Sequence, residues 1–230
     1  MSKGIQFLMK KNKIDVITGA GKLKKGGIVE VTDAAGKKTD YSAKHIILAT
    51  GARSRELPNV KQDGKNIIGY REAMTLATQP KSMVVMGSGA IGMEFAYFYN
   101  TMGTQVTVVE FMDKILPRED TDVSKEVEKI MKKKGLQIMT GAAVEKVEVV
   151  NGQSVVTVKT KTGTEKITCD VVLSAVGIAT NIEGIGLEEV GVKTDKGLVV
   201  VDDFYKTNIP GVYAIGDIVK GPALAHVASA

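Results

Sequence analysis

The clearest succession of hydrophobic and polar positions runs over residues 83–110. Residues 83–86 form an apolar run of strand length, and residues 93–102 have the apolar composition of a buried helix that ends at Gly103. Residues 106–109 form a second short apolar run. Short apolar runs on either side of a longer apolar segment are typical of buried strands that flank a helix. The pattern therefore predicts a β-α-β unit that begins near Pro80.

The chain before this unit mixes short apolar segments with glycine-rich turns. Ile5, Leu8 and Met9 recur with helical spacing, and two alternating segments flank residues 34–36 as the strands of a hairpin do. The predicted elements are the end of a helix over residues 3–13, a strand over 15–18, a hairpin over 27–33 and 37–41, a buried strand over 45–51, irregular chain over 58–69 and a helix over 70–77.

The chain after the unit again predicts helices and strands. Thr121 stands where it can cap a helix, and Asn151-Gly152 is a hairpin signal between two alternating segments. The apolar face of the helix is predicted to contain Val123, Val127, Ile130 and Met131. The predicted elements are a loop over residues 116–120, a helix over 121–134, a strand over 136–139, a hairpin over 144–150 and 154–160, one strand over 166–176, and the first turn of a helix over 223–230. Two further segments, residues 198–201 and 212–217, lie between the last strand and this helix.

A glycine-rich turn joins the first strand of the β-α-β unit to its helix. Residues 87–92 have the G-x-G-x-x-G spacing, in the strand-turn-helix context that gives this motif its mechanism. Gly87 permits a tight turn, Gly89 lets a pyrophosphate approach the backbone, and Gly92 lets the helix pack closely on the sheet. The free N–H groups and the positive dipole end of the helix would then face the phosphates.

Glu110 follows the second strand, 18 residues after Gly92. A carboxylate about 20 residues beyond the glycines binds a ribose 2′-hydroxyl in NAD sites. Such a carboxylate repels a 2′-phosphate, so the sequence predicts NAD rather than NADP. The alternative is a structural glycine turn with Glu110 exposed to solvent.

Composition and charge argue against several classes of protein. Hydrophobic residues make up 43% of the chain and charged residues 25%, which is typical of a globular protein. The net charge of +5 comes from scattered lysines and there is no Trp, so we expect no nucleic-acid binding. No apolar run approaches the ~20 residues of a membrane span and no signal peptide is recognisable, so we expect a cytoplasmic location and no membrane partner.

The sequence contains one cysteine, Cys169. A single cysteine excludes an intrachain disulfide and a Cys-x-x-Cys redox or zinc site. Because Cys169 lies in an apolar, strand-like segment, we expect it to be a small buried residue. We therefore expect neither a metal site nor a catalytic thiol within these 230 residues.

The order of motifs along the whole chain resembles the two-nucleotide flavoprotein disulfide reductases, and within them most closely the dihydrolipoamide dehydrogenases. The segments that carry the resemblance are residues 19–23, 47–51, 84–94, 106–110, 168–173, 213–217 and 221–222. The resemblance implies an α/β fold: a Rossmann-like NAD-binding domain, with a central parallel sheet, helices and a β-meander, inserted in a partial FAD-binding domain. The implied layout is a partial FAD-binding domain over residues 1–79, the NAD-binding domain over 80–180, and a central segment over 181–230 that returns to the FAD-binding domain.

The resemblance also implies which residues bind the two nucleotides. The implied NAD-binding residues are Gly87, Ser88, Gly89, Ala90, Ile91, Gly92, Met93, Glu94, Glu110, Val144 and Gly177. The implied FAD-binding residues lie near the adenine, the flavin, the ribityl chain and the isoalloxazine ring, and they are Gly21, Thr50, Gly51, Ala52, Gly216, Asp217, Ala223, Leu224, Ala225 and His226. His226 is expected to belong to the flavin-facing backbone or to a helix surface and not to act as an acid–base catalyst, so no catalytic residue is expected in the chain. Residues 178–181 replace arginines and a proline of the family, which removes cations near the nicotinamide end.

For an intact enzyme, the resemblance implies oxidation of dihydrolipoamide by NAD through an active disulfide and FAD. It also implies a homodimer and, as partners, the lipoyl domains of 2-oxo acid dehydrogenase complexes. The family's first G-x-G-x-x-G, its redox C-x4-C and its C-terminal His-Glu pair are not found in this sequence. We therefore expect an internal fragment of an enzyme. A non-catalytic NAD-binding module and a fragment of a mercuric- or glutathione-reductase-like enzyme stay open as alternatives.

Overall fold

The computed structural model describes residues 3–229, so Met1, Ser2 and Ala230 lie outside the described residues. The chain forms two compact units. The continuous unit is Arg53–Ala179, and the discontinuous unit consists of the described residues of Met1–Ala52 and Thr180–Ala230. The continuous unit thus interrupts the discontinuous one in sequence, in keeping with the predicted insertion.

The secondary structure consists of short strands and helices. The strands are β1 Ala20–Lys24, β2 Ile28–Thr32, β3 Lys38–Ser42, β4 Ile46–Leu48, β5 Ala52–Ser54, β6 Ile67–Ile68, β7 Ser82–Met86, β8 Gln105–Val109, β9 Gln137–Met139, β10 Ala143–Val150, β11 Gln153–Lys159, β12 Thr164–Cys169, β13 Val171–Ser174, β14 Ile178–Thr180, β15 Thr194–Asp195, β16 Leu198–Val199 and β17 Val212–Ala214. The helices are α1 Lys3–Lys11, α2 Tyr70–Ala73, α3 Ala90–Thr101, α4 Thr121–Lys133, α5 Leu187–Val190 and α6 Ala225–Ala228, and a 3₁₀ helix covers Gly216–Ile218.

The continuous unit is built on a parallel sheet with the strand order β6-β13-β7-β8-β9. Strand β7, which precedes the glycine turn, lies in the centre, with β8 and β9 on one side and β13 on the other. The order of connection therefore reverses between β7 and β13. In open parallel sheets, ligands bind at such a switch point, beyond the carboxyl ends of the strands. The predicted α/β class with a central parallel sheet is confirmed.

The two faces of this sheet are covered by different layers. Successive side chains of a strand point to opposite faces, so each strand contributes residues to both layers. One face packs against helix α3, and its buried residues include Met83, Val85, Val106, Val108, Met93, Ala96 and Tyr99. The other face packs against β11 and β12, and its buried residues include Val84, Met86, Val109, Val172, Val156, Val158 and Cys169. Both faces of the sheet are therefore buried, which explains why its strands read as continuous apolar runs.

Strands β10, β11 and β12 form an antiparallel meander, and the predicted hairpin at Asn151-Gly152 is confirmed. The prediction of one strand over residues 166–176 is wrong. The run breaks at Asp170, where the chain leaves the antiparallel meander and β13 joins the parallel sheet. The Asp170 carboxylate accepts hydrogen bonds from the backbone N–H groups of Lys81 at 2.8 Å and Ser82 at 3.1 Å, which ties this break to the start of β7.

The discontinuous unit contains an antiparallel sheet, β1-β2-β3, and a parallel pair, β4 with β17. Strands β2 and β3 confirm the predicted hairpin over residues 27–41. The core of this unit is formed by Leu23, Ile46, Leu48, Leu187, Val192, Val199, Val212, Ala214, Ile218 and Val219.

Three other predictions of secondary structure are corrected. Residues 15–18 are not a strand but irregular chain, with Val16 and Ile17 about half exposed, because no described strand pairs with them. Residues 58–69, predicted to be irregular, contain β6. Helix α4 is capped by the carboxylate of Asp120, which accepts a hydrogen bond from the Asp122 N–H at 2.8 Å, and not by Thr121.

The predicted apolar face of α4 is only partly correct. Val127 and Met131 pack against the core of the continuous unit, whereas Val123 and Ile130 are 50% and 43% exposed. Ser124 is buried in their place, and its hydroxyl donates to the backbone carbonyls of Asp120 and Leu116.

Residues 53–79, predicted to belong to the partial FAD-binding domain, lie in the continuous unit. Strand β6 pairs with β13 at the edge of the parallel sheet, and the Tyr99 hydroxyl donates to the Ala73 carbonyl oxygen at 2.5 Å. The boundary at residue 79 thus differs from the division of the structure, whereas the nucleotide that each part binds stays a prediction. In the described part of the chain, no helix combines the length and the apolar character needed to cross a membrane.

Candidate functional site

The glycine turn lies beyond the carboxyl end of β7, and its three glycines meet different constraints. Gly87 has φ 94°, and a Cβ there would lie 2.5 Å from the Ala175 carbonyl oxygen. A Cβ on Gly92 would overlap the Gly87 carbonyl oxygen, so this glycine permits the close approach of α3 to the turn. Gly89 is different: its φ of −66° suits any residue, and nothing lies within 4 Å of a Cβ built there. The space at Gly89 is therefore open for a ligand that approaches the backbone.

Helix α3 begins directly after Gly89 and directs its first N–H groups at this open space. Gly89 occupies the N-cap position and offers no side chain to these groups. Ala90 is exposed and Ile91 is half-buried, whereas Met93 is buried in the core and anchors the first turn. Glu94 lies on the exposed side of the helix. Free N–H groups and a positive helix end are features that bind phosphate.

Glu110 follows β8 and is only 6% exposed. Its Oε2 accepts two hydrogen bonds from Ser88, from the backbone N–H at 2.7 Å and from the hydroxyl at 2.6 Å. Its Oε1 accepts a third from the Met112 N–H at 2.8 Å. The alternative of a solvated Glu110 is therefore wrong, because the carboxylate is buried against the glycine turn.

Val144 and Gly177 lie at the same end of the sheet. The Ala142 N–H donates to the Glu110 carbonyl oxygen at 2.9 Å. The start of β10, which contains half-buried Val144, therefore lies close to Glu110 in space. Gly177 is exposed, has φ 109° and lies three residues beyond the end of β13. The carboxyl edge of the parallel sheet thus brings together the glycine turn, Glu110, Val144 and Gly177.

Several groups at this edge were not identified from the sequence. The Met112 N–H contacts Glu110, and the Arg55 N–H donates to the Gly177 carbonyl oxygen at 2.9 Å. The Asn59 side chain donates to the Glu145 carbonyl oxygen, next to the bulge between Val144 and Lys146. Two of these contacts are made by backbone groups and the third by an ordinary surface residue, so no sequence signal could have identified them.

In the discontinuous unit, two of the predicted FAD-binding segments meet at one edge. Strands β4 and β17 are parallel, and the Ile215 N–H donates to the Leu48 carbonyl oxygen at 3.0 Å. The turn of Thr50 and Gly51 after β4 therefore lies beside Gly216 and Asp217 after β17. Carboxyl ends of neighbouring parallel strands are a usual place for nucleotide binding.

Asn181, one of the residues that depart from the family pattern, supports the turn after β4. Its N–H donates to the Gly51 carbonyl oxygen at 2.9 Å and its side-chain amide donates to the Thr50 carbonyl oxygen at 3.1 Å. Gly51 has φ 66°, a conformation that favours glycine. The departure thus has a structural role within the discontinuous unit.

The remaining predicted FAD-binding residues are spread over the discontinuous unit. Helix α6 lies next to Gly216, where an added Cβ would be 3.6 Å from the Ala228 Cβ, so the segment of exposed residues Ala223, Leu224, Ala225 and His226 lies near that turn. Gly21 lies in β1 opposite Val31, and a Cβ there would make only an ordinary contact with Val29, at 3.7 Å. Ala52 is buried at the start of β5.

Cys169 is buried, as expected, at the end of β12 and is 1% exposed. Burial, with a smaller contribution from the charge of Asp170, raises the pKa of the Cys169 thiol to about 11. Among residues 3–229, no group of His, Cys, Asp and Glu side chains is arranged to hold a metal ion.

We expect the thiol of the folded chain to resist Ellman's reagent at pH 8. Only the thiolate reacts, and at three pH units below the pKa its fraction is on the order of one in a thousand, even before burial limits access. The same chain in concentrated urea is the control and should react at one thiol per chain. Rapid stoichiometric reaction without denaturant would contradict the buried position.

The pKa of the Cys169 thiol is higher in the folded chain than in the unfolded chain. The contribution of this thiol to the free energy of unfolding should therefore fall as the pH rises from about 9 to about 11.

The family profile described as pyridine nucleotide-disulphide oxidoreductase matches residues 1–230, the full chain. Curated relatives include the dihydrolipoyl dehydrogenase of Rhizobium etli, 49% identical over 99% of this chain and 50% of the relative. The dihydrolipoyl dehydrogenase of Zymomonas mobilis is 41% identical over 100% of this chain and 49% of the relative. The chain thus spans about half the length of the curated relatives that it matches.

Solved structures show the same similarity. The crystal structure of LpdA from Mycobacterium tuberculosis aligns with a TM-score of 0.89 and 31% identity, over 99% of this chain and 50% of that one. The flavoprotein disulfide reductase RclA from Escherichia coli aligns with a TM-score of 0.86 and 25% identity, over 98% of this chain and 52% of that one.

Proposed function

This chain belongs to the pyridine nucleotide-disulphide oxidoreductase family, and from that premise we propose that it is the nucleotide-binding portion of a dihydrolipoamide dehydrogenase. The intact enzyme would oxidise dihydrolipoamide with NAD by way of FAD. Its partners would be the lipoyl domains of 2-oxo acid dehydrogenase complexes, and it would be a cytoplasmic homodimer. The relatives named dihydrolipoyl dehydrogenase support this choice over mercuric or glutathione reductase.

The observation that carries the nucleotide assignment is the open space at Gly89 beside the start of α3. A Cβ at Gly89 would meet nothing within 4 Å, whereas Gly87 and Gly92 are fixed by close contacts with backbone. This arrangement fits a pyrophosphate, which needs backbone N–H donors and no intervening side chain. We therefore assign the backbone of residues 87–94 to the pyrophosphate side of the dinucleotide, with Val144 and Gly177 lining the site.

Glu110 would set the choice between NAD and NADP. Its carboxylate lies at the end of β8, held by Ser88 and Met112 against the glycine turn. A ribose 2′-hydroxyl can donate to such a carboxylate, whereas a 2′-phosphate would bring like charges together. The chain's part in the reaction is to bind and orient the nicotinamide cofactor, which supplies the hydride chemistry when bound.

The FAD site that we propose in the discontinuous unit is partial. Thr50, Gly51, Gly216 and Asp217 meet at one edge, with Ala52, Gly21 and residues 223–226 as the other predicted contacts. These residues include carbonyl, hydroxyl and carboxylate groups suited to the sugar and ring parts of the cofactor. The glycine turn of the continuous unit is the sole G-x-G-x-x-G in the sequence, so we find no second motif to hold the FAD pyrophosphate.

One observation favours a second candidate function, a non-catalytic NAD-binding module. The sequence has one cysteine, and it is buried with a raised pKa, so these residues contain no dithiol to exchange with lipoamide.

Both functions predict that the chain binds NADH. Calorimetric titration of the 230-residue chain with NADH tests this shared prediction, and saturable binding at one site per chain is expected. An absence of heat and of any spectroscopic change at millimolar NADH would contradict both functions.

We expect the 230-residue chain to lack dihydrolipoamide dehydrogenase activity and to bind FAD weakly or not at all. Only Cys169 is present, so no disulfide can form within the chain, and the sequence has no second G-x-G-x-x-G to supply helix-terminus contacts to the FAD diphosphate. The measurements are NADH formation from dihydrolipoamide and the visible absorption spectrum of the purified chain. Turnover, or a stoichiometric flavin spectrum, would contradict the prediction.

A further inference from the structure

Ser88, the second residue of the glycine turn, directs its hydroxyl at the carboxylate of Glu110. Ser88 is fully buried, and its Oγ donates to Glu110 Oε2 at 2.6 Å. The Ser88 N–H donates to the same oxygen at 2.7 Å. One residue of the turn thus makes both of the hydrogen bonds to one carboxylate oxygen.

The acceptor capacity of the Glu110 carboxylate indicates which oxygen is free for a ligand. Each carboxylate oxygen can accept about two hydrogen bonds. Oε2 is saturated by the two donors of Ser88, whereas Oε1 accepts one hydrogen bond, from the Met112 N–H. One acceptor position therefore remains, on Oε1.

We propose that Ser88 is a positioning residue that acts through Glu110. It holds Oε2 so that Oε1 accepts the 2′-hydroxyl of the adenosine ribose, and it thereby sets the preference for a ribose without a 2′-phosphate. This inference rests on the proposed NAD-binding function. It assigns the Ser88 side chain to the acid and not to the pyrophosphate.

The backbone of the turn does not depend on the Ser88 hydroxyl. The Gly87 N–H donates to the Val109 carbonyl oxygen at 2.9 Å, and the Leu116 N–H donates to the Ser88 carbonyl oxygen at 3.0 Å. The substitution Ser88→Ala therefore removes one donor to Oε2 and leaves the turn in place. The freed position on Oε2 can accept a hydrogen bond from water or from a second ligand group. The orientation of the Glu110 carboxylate is then less restricted.

The test is a double-mutant cycle on the 230-residue chain, with wild type, Ser88→Ala, Glu110→Ala and the double variant. Each is titrated calorimetrically with NADH and with its 2′-deoxyadenosine analogue. We expect Ser88→Ala to weaken NADH binding about five- to tenfold, less than the loss of a direct hydrogen bond to a charged group, because the ribose keeps its contact with Glu110. We expect no loss with the 2′-deoxy analogue, and no further loss when Ser88→Ala is added to Glu110→Ala.

Two results would overturn the inference while leaving the proposed function intact. One is an equal loss of affinity for NADH and for the 2′-deoxy analogue, which would mean that Ser88 acts elsewhere. The other is a Ser88→Ala effect that persists in the Glu110→Ala background. A wild-type chain that binds neither nucleotide would overturn the proposed function and the inference together. If Ser88→Ala does not fold, Ser88→Cys, which keeps the shape and weakens the donor, is measured with the same expected losses.

Discussion

Substitution of Gly89 by valine is expected to reduce NADH affinity by at least about a hundredfold while the chain stays folded. The backbone of Gly89 suits any residue, and an added Cβ meets no protein atom within 4 Å. The valine side chain would instead occupy the space where we place the pyrophosphate, and it would separate the phosphate from the first N–H groups of α3. An exclusion of this kind removes several charge-assisted hydrogen bonds at once, each worth about 1.5–3 kcal/mol.

Gly92→Ala is the matched comparison, because it changes a glycine of the same turn but is expected to lower stability and not to block the pyrophosphate. Its Cβ would overlap the Gly87 carbonyl oxygen, so the closely packed turn would have to move. We expect a clearly lower midpoint of urea unfolding for Gly92→Ala and only a small decrease for Gly89→Val, because valine is a poorer N-cap residue than glycine. Calorimetry with NADH and urea unfolding followed by circular dichroism measure the two effects. Normal NADH binding by Gly89→Val would refute the assignment of this turn to phosphate.

Substitution of Glu110 by alanine is expected to remove most of the preference for NADH over NADPH. The lost hydrogen bond to a charged carboxylate is worth about 1.5–3 kcal/mol, which corresponds to roughly 10- to 150-fold in NADH affinity. NADPH affinity should rise or stay constant, because the repulsion of the 2′-phosphate disappears with the carboxylate. Calorimetry with both nucleotides on wild type and variant measures the change in the ratio.

Glu126→Ala is the control for the general effect of removing a negative charge. Glu126 lies on the exposed surface of α4, where its carboxylate pairs with Lys129 at 3.3 Å. An exposed pair of this kind contributes little to stability, so neither nucleotide affinity nor unfolding should change. Equal affinities of the wild-type chain for NADH and NADPH would contradict the proposed preference for NAD over NADP, whatever the variants show.

The glycine turn and the strands and helix that flank it could be predicted from the sequence because they are neighbours along the chain. Strand β7, the glycine turn, helix α3 and strand β8 follow one another, and apolar runs, glycines and a terminal glycine at Gly103 are local signals. The hairpin at Asn151-Gly152 was predictable for the same reason, since two residues with positive φ determine the turn. In these segments the local preference of the chain agrees with the final fold.

Other features depended on partners far away in sequence, and there the sequence was insufficient. Residues 15–18 have a strand-like composition but no described strand pairs with them, whereas Ile67 and Ile68 form a strand because β13 lies beside them. The apolar run over residues 166–176 gives no sign that it divides at Asp170. Only the pairing of β12 with β11, and of β13 with β7, decides the break.

The properties of the candidate site likewise fall into those that the sequence predicts and those that only the structure shows. The sequence by itself determined that glycines and an acid with the spacing of a dinucleotide site stand at Gly87, Gly89, Gly92 and Glu110, because these residue types follow from the chemistry of a phosphate and a ribose. Only the tertiary structure decided that Glu110 is buried, that Ser88 and Met112 donate to its two oxygens, and that the space at Gly89 is open. These properties arise because β7 and β8 end side by side at one edge of the sheet, and no pattern along the chain shows how the residues at the two strand ends contact each other.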